Sequence, residues 1–288
     1  MSLYGAVTTG VTRSGLRIVV GAQEKMGKTT IGAGAPGVML VPLEVGFAGV
    51  SVAKTPIVQT YDVLTGFLRD TEAWCEAAVK GDAPPYPYQT LFFDSATGLE
   101  RILTAEVIAR DPLSVRGGKQ TITLNSAHGG YGKGPAMLLD LFAKILETFD
   151  RLSQYGVNIV LSCHVFSGKV MDPTAGEYDS WDLLLSSPKN NKTYGPRELV
   201  TQWADIVGFL YDPIFVAEGD KLSKGMSQGK GRMLGLSRTP AYVAGNRFGI
   251  TGEVAVPDPA VHNGNPAVCW NVLAKAIYDK TGIDVWTR

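Results

Sequence analysis

The chain is poor in the residues that build redox and metal centres. It has three cysteines (Cys75, Cys163, Cys269) and three histidines in 288 residues. The cysteines show neither even pairing nor metal-ligand spacing. That argues against a disulfide framework and a zinc site, and leaves reduced, buried thiols as the expectation. An excess of either charge is also missing, with 27 Lys and Arg against 27 Asp and Glu. A neutral chain has no overall field to draw it to nucleic acid or to an anionic surface, so any such contact must come from local loops. No apolar run approaches a membrane span, and the N-terminus lacks a charged-then-apolar leader pattern, so a cytoplasmic protein with no membrane partner is expected. What is present is a hydrophobic fraction of 45% with 19% charged residues, enough for a substantial core.

The strongest local signal is Leu16-Arg-Ile-Val-Val-Gly-Ala-Gln-Glu-Lys-Met-Gly-Lys-Thr-Thr30. An apolar run enters a small-residue turn that closes on Gly27-Lys28-Thr29 and opens a helix. This is the phosphate-cradling P-loop pattern, in which backbone N–H groups and the positive end of the helix dipole face an anion. The nucleotide-binding residues expected are Ala22, Gln23, Glu24, Lys25, Met26, Gly27, Lys28, Thr29 and Thr30. Lys28 would reach the β- and γ-phosphates of ATP, and the Thr29 hydroxyl would bind Mg²⁺. Ala22 stands where the pattern has its first glycine, which is acceptable at negative φ, with Gly21 beside it to keep the turn flexible.

Strand-like runs alternate with helical patterns, which predicts an α/β fold with a mainly parallel sheet covered on both faces. Strands are expected at Leu16–Val20, Val38–Leu43, Ile57–Thr60, Thr90–Asp94, Asn158–His164 and Ile206–Leu210. Helices are expected at Lys28–Ala35, Tyr61–Lys80, Ser95–Arg110 and Pro135–Tyr155. Beyond about residue 211, Arg232–Ser237, Ala241–Ala244 and Val254–Val256 read as antiparallel hairpins at the sheet edge, followed by a helix at Pro266–Thr281. The segments 111–135 and 166–195 read as long loops, and loops of that length are usually functional or mobile. The organisation expected is a single domain over 1–288, with a core at 14–211 and an extension at 212–288.

Thr90-Leu-Phe-Phe-Asp94 reads as a strand whose terminal Asp94 orients Mg²⁺. Glu44 follows the second strand, at the end of the sheet where open α/β folds bind ligands, and there it could polarise an attacking water. A solvated loop carboxylate or a helix-cap partner is the plainer reading of Glu44. His164 ends another buried strand, where it is either a structural histidine or a sensor of the γ-phosphate. Arg247, in a Gly-rich turn, either caps that turn or acts as an arginine finger in a neighbouring subunit's site.

Together these segments resemble the RecA/DnaB-like branch of P-loop ATPases. They resemble most closely the phage AAA-type ATPases linked to single-strand annealing and recombination. The resemblance runs from residue 16 to about 250. It is carried by Gln23–Thr29, Tyr88–Ser95, Gly129-Gly-Tyr-Gly-Lys-Gly134, Asn158–His164, Gln202-Trp-Ala-Asp205, Ser237-Arg-Thr-Pro240 and Gly245-Asn-Arg-Phe-Gly249. It implies a RecA-like fold with Mg²⁺-dependent ATP hydrolysis, Glu44 as the water-activating residue and His164 as the γ-phosphate sensor. It also implies self-association into a ring or filament and, for a phage-encoded protein, the host cytoplasm. The loops at 111–135 and 166–195 would face single-stranded DNA, with Lys119, Lys133, Lys169, Lys189, Lys192 and Arg197 on phosphates and Tyr131, Tyr178 or Trp181 stacking on bases. A phage single-strand-binding protein is a further partner to expect. The relatives' C-terminal Lys-x-Arg is incomplete here, with Arg247 kept but Gly245 in place of the lysine. The alternatives are a slow nucleotide-dependent assembly switch or partner-loading module, a small-molecule phosphotransferase and a purely structural role.

Overall fold

In the computed structural model, residues 14–46, 49–112, 123–188, 194–216, 225–227 and 231–285 are described. The central layer is a ten-stranded sheet. Its parallel heart comprises β1 (Arg17–Ala22), β2 (Val38–Pro42), β4 (Thr90–Asp94), β5 (Asn158–Asp172) and β7 (Ile206–Tyr211), in the spatial order β7-β1-β5-β4-β2. The short β3 (Ala53–Lys54) extends the β2 edge in parallel. At the opposite edge β10 (Arg232–Gly235) runs antiparallel to β7, and β12 (Glu253–Val256) runs antiparallel to β10. β11 (Gly245–Asn246) also pairs antiparallel with the start of β7. β8 (Ile214–Val216) and β9 (Gly225–Ser227) form a separate two-stranded sheet.

The parallel strands are near-continuous apolar runs because both faces are covered. One face packs Val19, Val41, Phe93 and Leu161 against α2 (Tyr61–Lys80), α3 (Ala96–Ala109) and α4 (Lys133–Gln154). The other packs Ile18, Leu40, Phe92 and Val160 against α1 (Lys28–Ala33) and α6 (Ala267–Thr281), with Trp270 fully buried. Alternate residues of one strand thus feed two cores, as the two-residue strand period dictates. α5 (Pro196–Trp203) closes the first core beside α4, through Val200 and Trp203. Among the described residues no helix is long and apolar enough to cross a membrane.

Four expectations are corrected. Ile57–Thr60 is not a strand. The edge strand comes earlier, at Ala53–Lys54, and Thr60 instead caps α2, its hydroxyl accepting from Val63 N at 3.4 Å. Ala241–Ala244 is not a strand either. Only an isolated bridge joins Tyr242 to Trp181, and the strand in this stretch is β11. The largest difference is at 166–195, expected as a loop. β5 runs on past His164 to Asp172, turns, and returns antiparallel as β6 (Gly176–Leu183), while α5 occupies Pro196–Trp203. The turn is built by Asp172, whose Oδ1 accepts from Thr174 N at 2.8 Å and Ala175 N at 2.9 Å, with Gly176 at φ +82°. Gly21 also differs from its expected part in the turn. It lies inside β1, where a Cβ would come within 2.8 Å of Leu183 and 3.1 Å of Val165, so it makes room for the root of this ribbon.

Candidate nucleotide site

The C-terminal ends of β1, β4 and β2, with the point where β5 leaves the parallel sheet, bring Lys28, Thr29, His164, Asp94 and Glu44 to one end of the sheet. β1 feeds directly into the loop at 23–27. Ala22 stays in extended strand backbone, and the left-handed positions are Lys25 (φ +61°) and Gly27 (φ +97°). Gly27 is the N-cap of α1 and supplies no side chain, so the helix start presents bare backbone.

Lys28 is buried, and its Nζ donates to Ala22 O and Gln23 O, both at 2.9 Å. Burial pushes its pKa below the ordinary lysine value, with attraction from Asp94 working in the opposite direction. A desolvated ammonium held only by carbonyl oxygens is a strong receptor for phosphate oxygens, which would replace those contacts with full charge pairing.

Thr29 Oγ1 donates to Asp94 Oδ2 at 2.7 Å, and Ser162 Oγ donates to Asp94 Oδ1. Asp94 is buried, with both of its oxygens engaged. One hydroxyl and one carboxylate side by side form a hard-oxygen pair that suits Mg²⁺, which characteristically takes few protein ligands and completes its shell with water and nucleotide phosphates. Among the described residues no group of three or more His, Cys, Asp or Glu is placed to hold a metal. Thr29 and Asp94 could together hold Mg²⁺, which would neutralise phosphate charge when nucleotide is bound.

Glu44 is bound on several sides. Its Oε1 lies 2.9 Å from His164 Nε2, Arg101 Nη2 donates to Oε2, and Ser95 adds a hydrogen bond. The hydrogen bond from His164 is the main reason its pKa falls to about 2, against an ordinary 4.5. Burial opposes that shift, while Ser95 and Arg101 reinforce it. A carboxylate whose pKa is lower in the folded than in the unfolded chain contributes stability that is complete above the unfolded value. That stability is lost as pH falls from there through the folded value. The difference in Tm between wild type and Glu44→Gln is therefore expected to be present at neutral pH and to shrink as pH drops below about 4.5. Thermal scans across that range check it, and a gap that stays constant down to about pH 3 would count against the assignment.

Arg247 lies elsewhere. Its backbone N donates to Asp205 O at 2.9 Å, its guanidinium donates to Gln202 O, and Nη1 stands 3.8 Å from Asp205 Oδ1. It lines a cavity of about 210 Å³ with Gln202, Asp205 and Asn246. Asn246 pairs with Ile206, and Ile206 sits level with Ile18, whereas the loop leaves β1 at Ala22, level with Leu210. At about 3.3 Å per strand residue, Arg247 is roughly 15 Å along the sheet from its own P-loop, at the opposite end. It cannot complete the site of its own chain.

Of the residues expected to meet DNA, Lys119, Lys189 and Lys192 lie outside the described residues. Lys133 is exposed at the first position of α4, beside a fully exposed Tyr131 at φ +53°. Lys169 on the ribbon pairs with Glu177. Arg197 is turned inward, donating to Asp182 Oδ2 at 3.1 Å and Leu185 O at 3.3 Å and lying over the Phe166 ring. Tyr178 and Trp181 lie on β6, and Trp181 is hydrogen-bonded through its backbone to Ala241 and Val243.

Sequence reasoning missed Ser162 and Arg101. Ser162 was within reach, because it stands two residues before His164 on one strand and so shares its face. No spacing pointed to Arg101, on α3.

A P-loop lysine and threonine, a strand-end aspartate and a parallel sheet flanked by helices define a P-loop nucleotide-binding ATPase. The AAA domain family model matches residues 14–248, most of the chain, and the chain belongs to that family. Nucleotide-dependent ATPase activity follows from this membership as the general function. No curated protein matches the chain.

Proposed function

We propose that the chain is a Mg²⁺-dependent, RecA-like ATPase that assembles side by side and acts on single-stranded DNA in phage-type recombination or annealing. The observation that carries the catalytic part is the convergence of Lys28, Thr29, Asp94, Glu44 and His164 at the C-terminal ends of β1, β4 and β2 and the point where β5 leaves the parallel sheet. Lys28 binds phosphate, Thr29 and Asp94 hold the metal, and Glu44 takes a proton from the water in line with the γ-phosphate. His164 reports the state of the site. Its carbonyl accepts from Leu184 N at 2.7 Å where the ribbon rejoins the core, so a shift at His164 passes to the ribbon's root. The RecA-like reading is supported by the strand order, in which β5 separates the P-loop strand β1 from the Asp94 strand β4. Side-by-side assembly rests on the resemblance, and the distance of Arg247 from its own P-loop is compatible with action on a neighbour's nucleotide.

The DNA part rests on the resemblance and on the exposed Tyr131 and Lys133. The ribbon is a poor phosphate binder, since Lys169 stands against Asp172, Glu177, Asp179 and Asp182 between residues 165 and 183. Phosphate contact therefore falls to Lys133, Lys119, Lys189 and Lys192, with Tyr131 free to stack on a base at about 1–3 kcal/mol. A second reading, a slow nucleotide-dependent switch that loads a partner, has one observation in its favour: Glu44 is bound by both Arg101 and His164. Steady-state ATP hydrolysis with and without single-stranded DNA separates the two. Stimulation of about tenfold or more is expected for the first reading, and unchanged slow turnover would favour the second.

A further inference from the structure

A planar trans peptide points its C=O and N–H in opposite directions, so whatever holds the carbonyl on one side of a loop aims the amide to the other. In a P-loop the amides must face inward to reach the phosphates. The Met26–Gly27 peptide immediately precedes Lys28, and its carbonyl is held. Arg232, half-buried on β10, donates from Nη1 to Met26 O at 3.0 Å. The fit is close: a Cβ added to Gly27 would lie 2.1 Å from that nitrogen. The other arm of the same guanidinium, Nη2, reaches Pro257 O at 3.4 Å.

Pro257 belongs to a packed surround. Its carbonyl also accepts from Cys269 Sγ at 3.3 Å, at the start of α6. The far end of α1 meets the same segment, since a Cβ on Gly34 would lie 2.2 Å from Pro266 O. Ile31 and Ala35 share a core cluster with Trp270, Leu273 and Ile277 of α6. The six-residue α1 thus meets residues 257–277 directly at its far end and through Arg232 at its start, and that segment lies beyond the family match at 14–248.

We infer that Arg232 is a positioning residue for nucleotide binding. It pins the Met26 carbonyl outward against the C-terminal segment, so the Gly27 amide is fixed toward the phosphates before nucleotide arrives. A cationic donor also withdraws electron density from the peptide it binds and strengthens that peptide's own N–H as a donor. Both arms of Arg232 are engaged by carbonyls, Met26 O and Pro257 O, so its expected influence falls on phosphate affinity and not on the hydrolytic step. The inference rests on the P-loop reading of the site.

Binding of a fluorescent ADP analogue by wild type, Arg232→Ala and Arg232→Lys tests it, together with single-turnover ATP hydrolysis at saturating nucleotide. Arg232→Ala is expected to weaken ADP binding by about tenfold or more, the size of a lost charge-assisted hydrogen bond. Arg232→Lys, which can serve one carbonyl but not both, is expected to recover part of the loss. The single-turnover rate of both variants should stay within about threefold of wild type. A merely structural arginine would instead lower folded yield and Tm with no change in the affinity of the folded fraction. Wild-type affinity in Arg232→Ala overturns the inference. If Arg232→Ala does not fold, a folded Arg232→Lys with wild-type affinity overturns it too. A wild-type protein that binds no ADP overturns the P-loop reading itself, so the two failures are distinct.

Discussion

Glu44→Gln is expected to keep nucleotide affinity within a fewfold of wild type while lowering kcat by about 10²- to 10⁴-fold, the range a positioned general base supplies. The substitution preserves volume and leaves an amide oxygen that can still accept from Arg101 or His164, so the local fold is retained. What it removes is the capacity to take a proton. Glu44 follows β2, two strands from β5, yet its carboxylate meets the His164 ring at 2.9 Å, over the end of β4 where Asp94 stands. A water activated there would lie near the metal-binding pair and the phosphate-binding lysine. Single-turnover hydrolysis with pre-bound ATP isolates the chemical step from binding and release. A loss of less than about fivefold would remove Glu44 from the role of base, and the slow-switch reading would then lead. Arg101 bears on the same measurement. It neutralises part of the Glu44 charge, and a carboxylate with its pKa near 2 is a weak base until one of its partners lets go.

The parallel core was legible because its strands are buried on both faces and carry their burial in their composition. Arg17–Ala22, Thr90–Asp94 and Ile206–Tyr211 are apolar enough to identify without neighbours. The long helices were legible for a related reason, with Leu138, Leu141, Ile145, Leu146, Phe149 and Leu152 marking the buried side of α4. The ribbon was not, because it stands off the core. Ser167, Lys169, Asp179 and Ser180 form a ladder with little to bury, and strand patterning records burial, not hydrogen bonding. Its turn was readable in principle from Asp172-Pro-Thr-Ala-Gly176, yet with no apolar alternation on either side that signal resembles any loop. In the site, Lys28, Thr29 and Asp94 announce themselves through local pattern. The contacts of Arg101 with Glu44 and of Arg232 with Met26 join residues far apart in the sequence, and only the folded topology brings them together.

Arg247→Ala is expected to leave ATP binding and the isolated chain's slow hydrolysis unchanged, and to lower the rate of the assembled protein by about a thousandfold, the lower end of what an arginine finger contributes. The residue lies at the end of the sheet opposite its own P-loop and is tied only to Gln202 and Asp205, contacts it can give up at an interface. On the proposed reading, with Gly245 at the place where the resemblance expects a lysine, Arg247 would act alone, so its loss should not be buffered. Mixing separates action on a neighbour from action within one chain. Arg247→Ala retains a sound P-loop but offers no finger, whereas Lys28→Ala offers a finger but cannot hold phosphate. Each alone is expected to be nearly inactive. In an equimolar mixture, a Lys28→Ala subunit beside an Arg247→Ala subunit restores a complete site at one kind of junction, and part of the wild-type rate should return. The recovered rate should rise with protein concentration, because the complete site exists only between subunits. A mixture no more active than its components would show that Arg247 acts within its own chain or not at all, and the side-by-side assembly would then rest on the resemblance alone.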